Sequence, residues 1–320
     1  MRSIQELTAS AVTDTSTVSA VNSTAITTFR MTRYAEEIAK VAEDFRFLQN
    51  LCDHNTELVG SRDYSVRLFF TESHLDFSAT TSKTEGSERT YTEMTNLSYV
   101  DATPTYYYRA VAITKQIADN SRVDLIELAK YMIAQDVEKE IEEAIITELE
   151  TATTNVVYGG DATSVGSLET GDVLTPNVIA SAITKLEALN YKPKFLVIHP
   201  TQKGALIKDS QFVNASEYGG REVVLNGEIG TYLAAKVIVT TNVNAKTTAS
   251  DSWGADGHWC HLLGQNQYKQ NAATIVWKEK PNYAYEYLPR YANHYIYADA
   301  AYDVELVLEA AVCAIKVTDA

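Results

Sequence analysis

Two runs rich in aromatic and β-branched residues are separated by polar sequence that has little of its own to bury. They are Tyr64-Ser65-Val66-Arg67-Leu68-Phe69-Phe70 and Tyr106-Tyr107-Tyr108-Arg109-Ala110-Val111-Ala112-Ile113. Both read as strands. Between them, Thr80-Thr81-Ser82-Lys83-Thr84-Glu85-Gly86-Ser87-Glu88-Arg89 has the look of a hairpin tip. A long isolated hairpin is marginal in water, and this one has too few apolar residues near its tip to pack on its own domain. Residues 64–117 are therefore expected to rest on a neighbouring subunit.

The remaining segments fall into an order. Residues 1 to about 30 are dominated by Ser, Thr and Ala and cannot build a core. A helix is expected over Met31–Leu51, capped by Thr32, with Tyr34, Ile38, Val41, Phe45 and Leu48 on one stripe. A second, much longer helix is expected over Val123–Glu150, with Ser121 and Asp124 resembling a capping box. Its apolar stripe is Ile126, Tyr131, Ile133, Val137, Ile141, Ile145 and Leu149. At 1.5 Å per residue it would run about 40 Å, a strut across a domain. Residues 153–172 read as loop. An α/β module follows: Thr175 capping a helix with Pro176 in its first turn, a strand at Lys194–His199, a helix from Pro200, and strands at Val223–Leu225 and Ala235–Thr240. From Trp259 onward the chain reads as tyrosine-rich strands.

Composition bounds the function classes. The chain has 320 residues, 45% hydrophobic and 22% charged, which suits a folded protein with a real core. No apolar run approaches the roughly 18 residues of a membrane span, and the N-terminus lacks a signal-peptide pattern. A soluble protein made in the cytoplasm is expected. The formal charge of −15 argues against a protein that reads DNA, although an acidic container wall would let packed DNA slide. The three cysteines, Cys52, Cys260 and Cys313, imply no disulfide framework.

Chemistry-bearing constellations are sparse. His258, Cys260 and His261 cluster, and Cys52 pairs with His54, but neither spacing matches a zinc pattern. His258 and Cys260 would share one face of a strand and His261 the other. His199 ends a strand before a helix, where active-site residues occur in α/β sheets, but no partner for it is evident. Gly159-Gly160 and Gly166 lack the Lys-Ser or Lys-Thr of a phosphate loop and suit a linker. The run Glu138-Lys139-Glu140-Ile141-Glu142-Glu143 reads as the solvated face of the long helix. Nothing here calls for a catalytic residue, metal or cofactor. The 20 tyrosines, gathered at 106–108 and 283–302, suit either an interface or a sheet core.

Two segments carry a family resemblance. Val111-Ala112-Ile113-Thr114-Lys115-Gln116-Ile117-Ala118-Asp119-Asn120-Ser121 runs straight into the long helix. The other runs from Thr175-Pro176 through Phe195-Leu196-Val197-Ile198-His199-Pro200 to Gly227-Glu228-Ile229-Gly230 and Val237-Ile238-Val239-Thr240. In this order they resemble the major capsid proteins of tailed phages and tailed archaeal viruses, the Hong Kong 97 type. The resemblance implies an α+β fold with an N-terminal arm and helix (1–60), an extended β-hairpin loop (61–120) and a spine helix with the first part of a peripheral domain (121–171). It also implies an axial α/β domain (172–258) and a returning peripheral sheet (259–320).

Hexamers and pentamers of one chain would then close an icosahedral shell around double-stranded DNA, assembled in the host cytoplasm, with no membrane and no enzymatic activity. Lys83, Glu85 and Arg89 would lie at the loop tip that touches a neighbour. Tyr218, Gly219, Gly220 and Arg221 would line the capsomer centre. Only about 60 residues precede the extended loop, so any scaffolding protein is expected to be a separate chain, as are portal and decoration proteins. The founding member's Lys–Asn crosslink has no motif here. Two other readings are an encapsulin shell and a hydrolase or nucleotide-using enzyme built on residues 172–240.

Overall fold

The computed structural model describes residues 48–71, 97–121, 124–208, 231–232 and 235–319. In chain order a 3-10 turn (Gln49–Leu51) precedes β1 (Asp53–Asn55), β2 (Val66–Thr71), β3 (Leu97–Ala102) and β4 (Thr105–Thr114). Then come α1 (Lys115–Asn120), α2 (Leu125–Leu149), β5 (Asn155–Tyr158), α3 (Pro176–Ala188), β6 (Lys192–Ile198) and α4 (Pro200–Lys208). The chain ends with β7 (Thr231–Tyr232), β8 (Ala235–Val239), β9 (Ala245–Lys246), β10 (Gly257–Gln265), β11 (Ala273–Leu288), β12 (Asn293–Leu306) and β13 (Val312–Thr318). The N-terminal arm, most of the helix expected before Leu51 and the strand at 223–225 lie outside the described residues.

Described residues divide into two compact units. One takes residues 107–138 and 281–300; the other takes 48–106, 139–280 and 301–319. The larger is built on a mixed sheet in the order β5-β13-β10-β6-β8-β7, with β9 also on β10. Its centre is β10, flanked antiparallel by β13 and β6, with Cys260 opposite Ile315 and Leu262 opposite both Cys313 and Leu196. Strands β10 and β13 are almost wholly buried, as expected where a sheet is covered on both sides, and β6 is buried over Leu196–Ile198. Helix α3 packs against β13, β5 and β6. Thr175 accepts from Val178 N and Pro176 occupies the first turn, as the sequence predicts.

A second sheet runs β1-β11-β12-β4, and β2 pairs only with β3. This corrects the expected hairpin. Val66 to Thr71 lies antiparallel to Ala102 to Leu97, not to the 106–113 run, which becomes β4 in the four-stranded sheet. Arg67 braces the pairing: its guanidinium makes two hydrogen bonds to Asp101, directly across the ladder, and lies 4.0 Å over the Tyr99 ring. Strands β11 and β12 are long and continuous, sixteen and fourteen residues. At Pro281 the missing N–H is tolerated because β1 covers only Thr274–Val276, leaving an edge beyond it among the described residues.

Helix α2 is buried in a strict four-residue rhythm: Ala129 and Lys130, Ile133 and Ala134, Val137 and Glu138, Ile141 and Glu142, Ile145 and Ile146, then Leu149. Three expectations change here. Asp124, not Ser121, caps the helix, accepting from Ile126 N and Glu127 N. Ser121 instead closes α1, a short helix where extended chain was expected, capped at its start by Thr114. Tyr131 faces outward, and Glu138 and Glu142 face inward. The solvated face carries Lys139 and Glu143, paired at 3.2 Å one turn apart.

Residues 153–172 are not wholly loop: β5 joins β13 in parallel, with Val157 beside Ile315. Gly159 follows this strand, its N–H still donating to Lys316 O, and a Cβ there would collide with the carbonyl of Asp172. The Gly159-Gly160 pair thus answers to close backbone approach.

Candidate intersubunit surface

Strand β4 is the least buried long element described. Nine of its ten residues are exposed, Ile113 alone being intermediate. Tyr106 is 63% exposed and Tyr108 75%. A strand rich in aromatic side chains that buries almost none of them is unusual for sheet structure, where burial of one face supplies the stability. Helix α1 continues the pattern with no buried residue and Ile117 at 56%. On the first turns of α2, Leu128 and Met132 are also exposed. Arg109 holds Asp136 at 2.6 Å, and Lys115 N donates to Ala292 O at 2.7 Å. The backbone is therefore braced while its apolar side chains face outward. The tyrosines thus divide: Tyr283 and Tyr302 are buried, whereas those of β4 are on the surface.

The other residues proposed from sequence as contact sites, Lys83, Glu85, Arg89, Tyr218, Gly219, Gly220 and Arg221, lie outside the described residues. The described chain brackets them. Thr71 and Leu97 are paired at the base of the first segment, and α4 ends at Lys208 before the second.

His199 has partners that its sequence position did not reveal. Its ring stacks on His258 with centroids 3.8 Å apart and planes 7° from parallel. His258 Nδ1 is 2.8 Å from Asp319 Oδ1, which also accepts from Thr201 Oγ1 at 3.0 Å and Gln202 Nε2 at 2.9 Å. Gln202, fully buried, donates to Thr318 O as well and accepts from Leu174 N. The cluster fastens the end of β13 to the start of α4. Burial, and then His258, lower the His199 pKa from its usual range. A His-Pro-Thr-Gln sequence opening a helix was the available signal. Thr201, two positions on, meets the His199 Nδ1 at 2.8 Å, but His258 and Asp319 come from distant parts of the chain, which no local pattern reports.

The cysteine–histidine pairs are structural. Burial pushes the Cys52 and Cys260 thiols up to about 12, so both sit in the core as neutral thiols. His54 Nδ1 accepts from Trp277 Nε1 at 3.0 Å. His258 and His261 lie on opposite faces of β10, as alternation predicts, since Trp259 and His261 stack together while His258 meets His199. Among the described residues no three His, Cys, Asp or Glu side chains converge as a metal site, and no described helix is long and apolar enough to cross a membrane.

The profile of the phage capsid protein family matches residues 99–302, well over half of the chain. The chain belongs to that family. Its fold is found in solved phage capsids. Against the capsid of Ralstonia phage GP4 the identity is 14% and the TM-score 0.63, covering 84% of this chain and 87% of that one. Against the capsid of cyanophage P-SCSP1u the values are 12% and 0.67, with 86% and 89% covered. An encapsulin from Synechococcus elongatus matches at 12% identity and a TM-score of 0.56, covering 86% and 88%. No curated protein matches by sequence.

A phage capsid protein of the Hong Kong 97 type is what the order of segments resembled, and the α+β fold follows it. Family membership makes the chain a structural shell protein of a virion and not an enzyme. The hydrolase reading of residues 172–240 ends there, and the His199 cluster is a structural clasp.

Proposed function

We propose that copies of this capsid protein form hexamers and pentamers that close as an icosahedral shell around double-stranded DNA, assembled in the host cytoplasm. The observation that carries this reading is β4: ten residues of strand with three consecutive tyrosines and almost nothing buried. Covering such a surface with a second copy recovers about 25 cal/mol for each Å² of apolar area removed from water. Obligate interfaces commonly exceed about 2,000 Å².

In this arrangement residues 61–120 form an extended loop whose tip, with Lys83, Glu85 and Arg89, lies on a neighbour's peripheral domain. That domain comprises 121–171 and 259–320. The N-terminal arm, within 1–60, ties beneath another subunit. Residues 172–258 form the axial domain, and Tyr218, Gly219, Gly220 and Arg221 line the capsomer centre. Gly219 and Gly220 allow the loop to differ between five-fold and six-fold rings. Scaffolding, portal and decoration proteins are candidate partners of this shell. The charge of −15 gives the wall no general affinity for phosphate, so the DNA is enclosed without being read.

Deleting residues 78–92 is expected to leave a folded subunit, by circular dichroism, that closes no shells in negative-stain electron microscopy. Normal particles from this variant would refute the loop's role. The likeness to an encapsulin supports a second reading, a cellular compartment of the same fold. Purified particles distinguish the two: packaged double-stranded DNA fits a virion, whereas a protein cargo with no DNA fits an encapsulin.

A further inference from the structure

The β9-β10-β13 register gathers an unusual set of side chains on one face of the large sheet. Trp259 lies directly across from Lys316, His261 from Ala314, and Lys246 from Gly257. Lys246, Trp259, His261 and Lys316 therefore share a face, and Glu150, just past the end of α2, meets Lys246 at 2.8 Å. The Lys316 ammonium lies 4.0 Å and that of Lys246 5.6 Å from the centroid of the Trp259 ring. Trp259 and His261 stack with centroids 6.0 Å apart.

This group ranges from half-buried to fully buried, and it is under-satisfied. The side chains of Lys246 and Glu150 are 16% and 11% exposed, and His261 is fully buried. Four buried polar atoms here have no hydrogen-bond partner: Trp259 Nε1, both ring nitrogens of His261, and Glu150 Oε1. Buried polar atoms are nearly always paired, with protein or with a bound species. The charge does not balance either, because two ammoniums face one carboxylate. Burial, and then Lys246, lower the Lys316 pKa, and the single carboxylate of Glu150 offsets them only in part.

We propose that Lys316, Lys246, Trp259 and His261 bind one small inorganic monoanion of chloride size. Two ammoniums supply the charge. The indole N–H and one imidazole N–H supply directed donors. The anion makes the cluster neutral, and it stabilises the unit that holds β10 and β13 without taking part in any reaction.

The test uses the full-length protein at constant ionic strength, with chloride exchanged for gluconate, a bulky organic anion. Ligand linkage requires the unfolding constant to fall about tenfold for each tenfold rise in chloride above its dissociation constant. Bromide is the direct probe, since it quenches tryptophan and would do so here with a saturable component. Lys316→Met should abolish both the saturation and the chloride dependence. Trp259→Phe, which keeps the stacked ring and removes the N–H, weakens the chloride dependence and provides a second variant should Lys316→Met fail to fold. Equal stability in chloride and gluconate, with strictly linear bromide quenching in the wild-type protein, would overturn the proposal.

Discussion

His261 is a neutral imidazole held in the middle of the β10 ladder. Burial first, and then Lys246 and Lys316, bring its pKa down to about 3. The unfolded chain binds a proton near pH 6.5, and the folded chain does not until far lower. Stability from this residue is therefore complete above about pH 6.5 and declines as the pH falls toward about 3, by about 1.4 kcal/mol per pH unit. Glu305 acts oppositely. Burial and then Asp303 and Glu148 raise its carboxyl to about 7, so its contribution falls as the pH rises from about 4.5 to about 7. The wild-type curve is flattened where the two overlap. Urea unfolding of wild type against His261→Leu isolates the imidazole: the variant should lose less stability on acidification, with the gap widening steadily from pH 6.5 to 4. A gap independent of pH would mean that His261 is protonated in the fold.

At the scale of elements, α2 shows how two buried carboxylates are used. Glu142 lies among Ile141, Ile145 and Ile146, yet both oxygens are occupied: Oε1 accepts from Leu48 N at 3.0 Å and Oε2 from Asn242 Nδ2 at 2.8 Å. It joins the helix to the segment before β1 and to the turn after β8. Tyr283 donates to Glu138 Oε1 one turn earlier. Removing the Glu142 carboxylate leaves two donors without their acceptor, so Glu142→Ala should cost about 2–4 kcal/mol, whereas Glu142→Gln, which retains one acceptor, should cost less. Shifts in urea midpoint at unchanged slope would measure both. If the alanine variant is as stable as wild type, the carboxylate is a solvated surface group after all. Helix α3 needed no such device. Thr175 and Pro176 start it, Ile179, Ala182 and Leu186 are buried along it, and all of this lies within thirteen residues of sequence.

At the scale of the whole molecule, an exposed tyrosine strand is stable in isolation only because its backbone is paired and braced. Tyr106→Ser with Tyr108→Ser removes apolar contact area and touches no core, so subunit stability should change by no more than about 0.5 kcal/mol. Shell formation, followed by sedimentation velocity, should nevertheless be lost or greatly slowed. Wild-type yields of shells from this variant would show that β4 is not covered during assembly.

Much of this protein was determined by local sequence. Helix α3, the length of α2, strands β6, β8 and β10, and the opposed faces of His258 and His261 follow from capping, periodicity and alternation, which act over a few residues. The order of those segments was enough to suggest the capsid family. Tertiary structure decided the rest. It made β3, not β4, the partner of β2, with Arg67 and Asp101 paired across that ladder. It made single strands of β11 and β12, turned Glu138 and Glu142 inward, and brought Asp319 and His258 to His199. Each of these depends on partners distant in the chain, and hydrogen bonding and burial reward such pairs only once the sheet that unites them has formed.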